Sequence, residues 1–234
     1  MKKLILASIL MMILVGIIGV VFADFDEGLE YKYQEVSLEK GWNLVSIYSI
    51  RQGADIDQSN WDREQIKKQN IKAIFFYDPY NKEYIRTYPD IEKDKLQEFV
   101  EKIDPEGGGD IDAYWRFTSS SMWVYSNERQ TVSFGTTDGP APINYITLKS
   151  GWNFLTITPE MTDKSLKDIE GSCSITKAYL WDAQNQQWGT IFNLLDDRNI
   201  LKNEGGLWNG LIVKVPNDCT LGSASGRVSP PELP

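Results

Sequence analysis

Apolar positions along this chain fall into one long run and many short ones. The long run covers residues 4–22, broken by Ser8 and small residues and preceded by Lys2 and Lys3. Its length is close to the roughly 20 residues that span a bilayer. Val21-Phe22-Ala23 also places small residues where a signal peptidase reads. Residues 1–23 are therefore expected to be a signal peptide or an N-terminal membrane anchor. Either way the two lysines stay in the cytoplasm and the body of the chain is exported.

Beyond residue 24 the runs shorten to strand length, with apolar and β-branched residues alternating or contiguous. They predict strands over residues 31–38, 43–50, 71–77, 84–88, 113–117, 122–126 and 130–134. A second series follows at 145–148, 153–158, 175–181, 211–215 and 219–221. Leu96, Phe99, Val100 and Ile103 instead fall at i, i+3, i+4 and i+7, which predicts an amphipathic helix over 90–103. Two shorter helices are expected. One covers 59–70, capped by Ser59 or Asn60, and the other is capped by Thr162, carries Leu166 and Ile169, and closes at Gly171. Asp78-Pro79-Tyr80-Asn81 and Asp182-Ala183-Gln184-Asn185 read as turns, since Asp and Asn side chains bond back to nearby backbone.

One phrase organises this order. Leu38-Glu39-Lys40-Gly41-Trp42-Asn43-Leu44-Val45-Ser46-Ile47 returns as Leu148-Lys149-Ser150-Gly151-Trp152-Asn153-Phe154-Leu155-Thr156-Ile157. The glycines suit a turn with positive φ, the tryptophans a core, and the asparagines the loose backbone groups of the turn. Repetition at this spacing predicts two tandem, duplicated, mainly β (α+β) modules. The first covers 31–134, a linker 135–144, the second module 145–221, and a flexible tail 222–234. The first module is the larger, and most of its extra length holds the helical insertion at 90–103.

Composition narrows the function. Asp and Glu total 33 against 24 Lys and Arg, a net charge of -9, which disfavours nucleic acid as a partner. Anionic lipid is disfavoured too, leaving the membrane as a partner only through the N-terminal segment. No His is present, so a Ser-His-Asp or Cys-His site cannot be assembled and zinc is poorly served. The two cysteines, Cys173 and Cys219, both lie in the second module. An even count in an exported chain predicts a disulfide between them, stabilising the smaller module. A redox or metal-binding pair is the rival reading, and no C-x-x-C spacing supports it.

Candidate chemistry is sparse. Asp55-Ile56-Asp57-Gln58-Ser59 resembles the opening of a calcium loop, with Asp55, Asp57 and Asp62 as ligands, yet Asn60 and Ile66 stand where the loop needs Gly and Glu. Weak calcium binding there, or near Asp110 and Asp112, competes with the preferred account of a solvated acidic loop. No other cofactor is expected. The 8 Trp and 11 Tyr exceed what a modest core requires. Tyr80, Tyr84, Tyr114, Trp115 and Trp123 are the candidate ligand-binding residues, since flat aromatic faces suit sugar rings or peptide partners, against the preferred account that the aromatics fill the core and the seam between the modules.

Gly151-Trp152-Asn153, Lys177-Ala178-Tyr179-Leu180-Trp181, Gly206-Leu207-Trp208 and Asp218-Cys219-Thr220-Leu221 together resemble the Gly-Trp-Asn-type β modules of secreted and cell-surface proteins of archaea and bacteria. The first module departs from that pattern, lacking both cysteines and the Gly before Tyr114-Trp115. The resemblance implies location and architecture and carries no reaction. The expectation is a secreted or cell-surface, non-catalytic binding or structural protein, with an extracellular glycan or surface protein as partner. The alternative is a secreted hydrolase of glycosidase type using paired carboxylates.

Overall fold

The computed structural model of the chain describes residues 32–46, 70–105, 119–136, 142–162, 164–189 and 206–222. The predicted signal or anchor segment, all but the last residue of the helix expected over 59–70, the strand over 113–117 and the tail beyond 222 lie outside them. No helix among the described residues is long and apolar enough to cross a membrane.

The architecture is mainly β. In the first half the elements are β1 (Lys32–Leu38), β2 (Gly41–Val45), β3 (Ile71–Asp78), β4 (Glu83–Tyr88), α1 (Lys93–Ile103), β5 (Met122–Ser126) and β6 (Gln130–Thr136). The second half holds β7 (Thr147–Leu148), β8 (Gly151–Thr156), α2 (Leu166–Ile169), β9 (Lys177–Asp182), β10 (Gln187–Trp188), β11 (Gly210–Val215) and β12 (Cys219–Thr220). β2-β5-β3-β4 form one antiparallel sheet and β8-β11-β9-β10 another, with the same order of chain segments across each. A two-stranded ribbon accompanies each sheet, β1 with β6 and β7 with β12. Leu38 faces Gln130 in the first ribbon, and Leu148 faces Cys219 in the second.

Alternation along the strands gives each sheet two apolar faces. One face of the first sheet packs Ile74, Phe76, Met122 and Val124 against Leu96, Phe99 and Ile103 of α1 and against Val36, Leu38 and Val132. The corresponding face of the second packs Leu155, Ala178, Leu180, Leu211 and Val213 against Ile146, Met161, Leu166 and Ile169. Cys173 and Cys219 are joined beside that core, their Cα atoms 5.1 Å apart.

The turn phrase has the same geometry twice. Gly41 and Gly151 take φ of 103° and 112°. Asn43 Oδ1 accepts the Glu39 N–H at 2.8 Å, and its Nδ2 donates to the Glu39 and Gly41 carbonyls at 2.8 and 3.0 Å. Asn153 repeats this with Lys149 and Gly151 at 2.9, 2.7 and 3.2 Å. Both asparagines are buried, so these bonds close groups that would be costly to leave open.

Several boundaries differ from expectation. α1 begins at Lys93, because the preceding residues are tied to β4: the Arg86 N–H donates to Glu92 Oε2 at 2.7 Å, and the Glu92 N–H donates to the Arg86 carbonyl at 3.0 Å. The Arg86 N–H holds the Glu92 carboxyl below its ordinary range, Lys95 adding to the effect. α2 is capped by Ser165, not Thr162. Ser165 Oγ accepts the Asp168 N–H at 3.2 Å and Asp168 Oδ2 accepts the Ser165 N–H at 2.9 Å, a reciprocal capping box. Thr162 instead donates to the Pro159 carbonyl. Ile143–Tyr145 is a 3₁₀ turn, so the strand expected from residue 145 shrinks to β7. β6 continues to Thr136, past the last alternating apolar residue.

The halves join reciprocally. The end of β2 bridges Val45 to Asn209, and the end of β8 bridges Leu155 to Ser120. The Ser46 N–H donates to the Trp208 carbonyl at 2.8 Å, and the Thr156 N–H donates to the Ser119 carbonyl at 2.7 Å. Each half thus lends the end of its Gly-Trp-Asn strand to the other, as across a two-fold axis.

Candidate functional site

The second apolar face of each sheet carries aromatic rings. Residues next to core positions point the other way, so β2, β3 and β5 turn Trp42, Phe75, Tyr77, Trp123 and Tyr125 away from the first core, and β4 adds Tyr84. β8, β9 and β10 turn Trp152, Phe154, Tyr179, Trp181 and Trp188 away from the second. Leu44, Phe154 and Ile212 are buried where the two faces meet, with Tyr77, Trp123, Trp152 and Trp181 half-buried around them.

Two hollows flank this contact. One, of about 360 Å³, lies over the second sheet and is lined by Tyr77, Tyr84, Trp152, Phe154, Tyr179, Trp188 and Ile212. The other, of about 430 Å³, lies over the first and is lined by Trp42, Phe75, Tyr84, Trp123, Trp181 and Trp188. Their walls correspond by strand and register: Trp42 with Trp152, Phe75 with Tyr179, Trp123 with Ile212, Trp181 with Tyr77. Tyr84 and Trp188 serve both hollows, and each is 46% exposed, which opens the pair to solvent as one cleft.

The rings meet mostly edge to face. Trp123 and Trp181 lie 5.0 Å apart at 84°, Trp181 and Trp188 5.2 Å at 79°, and Tyr77 and Tyr84 5.3 Å at 62°. Edge-to-face packing favours these rings in mutual contact, and it forms no coplanar platform among them. Burial pushes the Tyr77 hydroxyl above its ordinary pKa, with Tyr84 and Asp78 adding to the shift. It therefore stays protonated and able to donate.

Hairpin turns hold the walls together. Gln186, in the turn between β9 and β10, accepts the Trp42 N–H on Oε1 at 2.7 Å and donates from Nε2 to the Trp42 carbonyl at 2.9 Å. Trp181 Nε1 donates to the same carbonyl at 2.8 Å. Lys82, in the turn between β3 and β4, lies against Gly151 of the other half. Both turn residues adopt positive φ, 54° and 59°.

Of the predicted site residues, the structure brings Tyr84 and Trp123 into the cleft. Tyr80 is not among its lining residues. That ring packs 5.9 Å from Phe99 at the edge of the first core, with Lys149 Nζ 4.7 Å above it. Tyr114 and Trp115, and the calcium candidates Asp55, Asp57, Asp62, Asp110 and Asp112, lie outside the described residues. Among those residues no group of three or more acids, Cys or His gathers to hold an ion, and no carboxylate lines the cleft.

Trp42, Trp152, Tyr179, Trp181 and Trp188 were missed. A repeated Trp reads most simply as core, and the tryptophans of the turn phrase were assigned there. The available signal was β3, Ile71-Lys72-Ala73-Ile74-Phe75-Phe76-Tyr77, whose apolar residues occupy both faces. Such a strand needs a second partner layer besides its helix. The chain matches no family model, no curated protein and no solved structure, so the chemistry of the cleft rests on its own residues.

Proposed function

We propose that this chain is an exported, non-catalytic binding protein, secreted or held at the cell surface, made of two copies of one Gly-Trp-Asn β unit, and that it binds carbohydrate in the cleft between them. The observation that carries the reading is the cleft: a solvent-open pair of hollows walled by Trp and Tyr, with no carboxylate among the described residues that line them. Sugar rings present apolar C–H faces that suit aromatic side chains, while their hydroxyls need polar neighbours such as Tyr77 and Tyr84. The matching strand order and the paired asparagine turns support copying of one unit. The Cys173–Cys219 bond supports an oxidising compartment, as the apolar segment over 4–22 does for export.

The test is retention of the mature protein on insoluble cell-wall material and on immobilised glycans, beside Trp188→Ala. Trp188 is half-exposed and lines both hollows, so its loss should weaken binding about tenfold or more. Tryptophan fluorescence should also shift on binding, since the cleft holds Trp42, Trp123, Trp152, Trp181 and Trp188. Equal retention of the two proteins would sink the assignment.

A further inference from the structure

The two hollows match in their aromatic walls and differ in their rims. Lys177 and Lys214 face each other across β9 and β11, and Lys214 also pairs with Trp152. Lys214 Nζ lies 5.5 Å over the Trp152 ring, so this row stands on the cleft side of the second sheet. Lys82 approaches Gly151, next to Trp152, from the first half. At the corresponding places around the other hollow stand Ala73, Tyr125 and Gln186, all uncharged. Among the described residues none of the three lysines is in an ion pair.

This arrangement is costly for the empty protein. Like charges directly opposite on neighbouring strands repel, as Lys177 and Lys214 do here. Acids outnumber bases in the chain, 33 to 24, so carboxylates to neutralise the three were plentiful in its composition. The net negative charge opposes an anion only at long range, where salt screens it beyond about 8 Å at physiological strength. At contact distance the lysines decide.

Resting on the carbohydrate reading above, we infer that the ligand is an anionic glycan. One acidic sugar ring packs against Trp152, Tyr179 and Trp188, and its carboxylate or sulfate meets Lys82, Lys177 and Lys214. A neighbouring ring occupies the uncharged hollow of Trp42, Phe75 and Trp123. Charge-assisted hydrogen bonds from ammonium groups supply the preference for the acidic unit.

The experiment is calorimetric titration of the full mature chain with tetragalacturonate, a sulfated galactan tetramer and neutral cellotetraose. At about 50 mM salt one of the acidic oligomers should bind about tenfold or more tighter than cellotetraose, and the gap should close near about 0.5 M salt. Which acidic oligomer wins separates carboxylate from sulfate. The triple variant Lys82→Gln, Lys177→Gln, Lys214→Gln should bind acidic and neutral oligomers alike. The three side chains lie outside both cores, and an unaltered circular dichroism spectrum and melting profile will confirm that the variant folds. Neutral binding equal to acidic binding in the parent protein overturns this inference and leaves the carbohydrate reading standing. So does a variant that loses both ligands in equal measure. Failure of every oligomer to bind overturns both.

Discussion

At the scale of single residues, the two turn glycines share a backbone and differ in what surrounds them. A methyl group built on Gly41 would lie 2.5 Å from Gln186 Oε1, whereas one on Gly151 meets nothing nearer than Lys82 Cε at 3.7 Å. Both substitutions carry the strain of a side chain at positive φ, about 1–3 kcal/mol. Gly41→Ala also displaces Gln186 from the Trp42 N–H and carbonyl, adding about 1–3 kcal/mol. Denaturant unfolding should therefore find Gly41→Ala the more damaging, and the excess should vanish in a Gln186→Ala background. Equal losses in the parent protein would mean that Gln186 holds nothing in place. The conformation of these glycines was legible in the sequence, as was the role of Asn43 and Asn153, because both act within a few residues. Gln186 was not, since its partner lies 144 positions away and nothing local marks a turn amide as a clasp.

Whole elements show the same division between local and distant causes. The body of α1 follows from Leu96, Phe99 and Ile103, all buried. Its start does not, because the Glu92 side chain accepts from the backbone of β4 instead of capping the helix. The β3 run was legible as a strand buried on both faces. Periodicity reports that both faces are apolar without saying which layer covers each. The cysteine pair was legible from its even count and from export. Cys219 lies on β12 and Cys173 follows α2, 46 positions apart in sequence. The bond thus ties the ribbon beside the second sheet to the loop behind its helix. In the first ribbon Gln130 occupies the place of Cys219, opposite Leu38, and α1 supplies packing that the short α2 cannot. The unreduced protein should stay unlabelled by a thiol reagent even when denatured, and reduction should lower stability by about 2–4 kcal/mol. Stoichiometric labelling without reductant would remove the crosslink from this account.

For the molecule as a whole, the question is whether the halves unfold separately or together. Each has its own core, which argues for independence. Against this stand the exchanged strand ends, the Gln186 and Trp181 bonds to Trp42, and the buried cluster of Leu44, Phe154 and Ile212. These contacts include backbone hydrogen bonds in both directions, so unfolding either half strips the other of strand partners and exposes a sheet face lined with Trp and Tyr. The coupling should therefore exceed what a polar interdomain surface provides. Phe99, 2% exposed and packed 4.8 Å from Phe76, lies wholly in the first core. Phe99→Ala should cost about 3–5 kcal/mol and move one transition common to far-ultraviolet circular dichroism and tryptophan fluorescence. Reduction of the Cys173–Cys219 bond, beside the second core, should move that same transition. If Phe99→Ala instead splits the curve and leaves a later step sensitive only to reduction, the halves are independent. A cleft walled by both would then lack the rigid seam that a binding site between them requires.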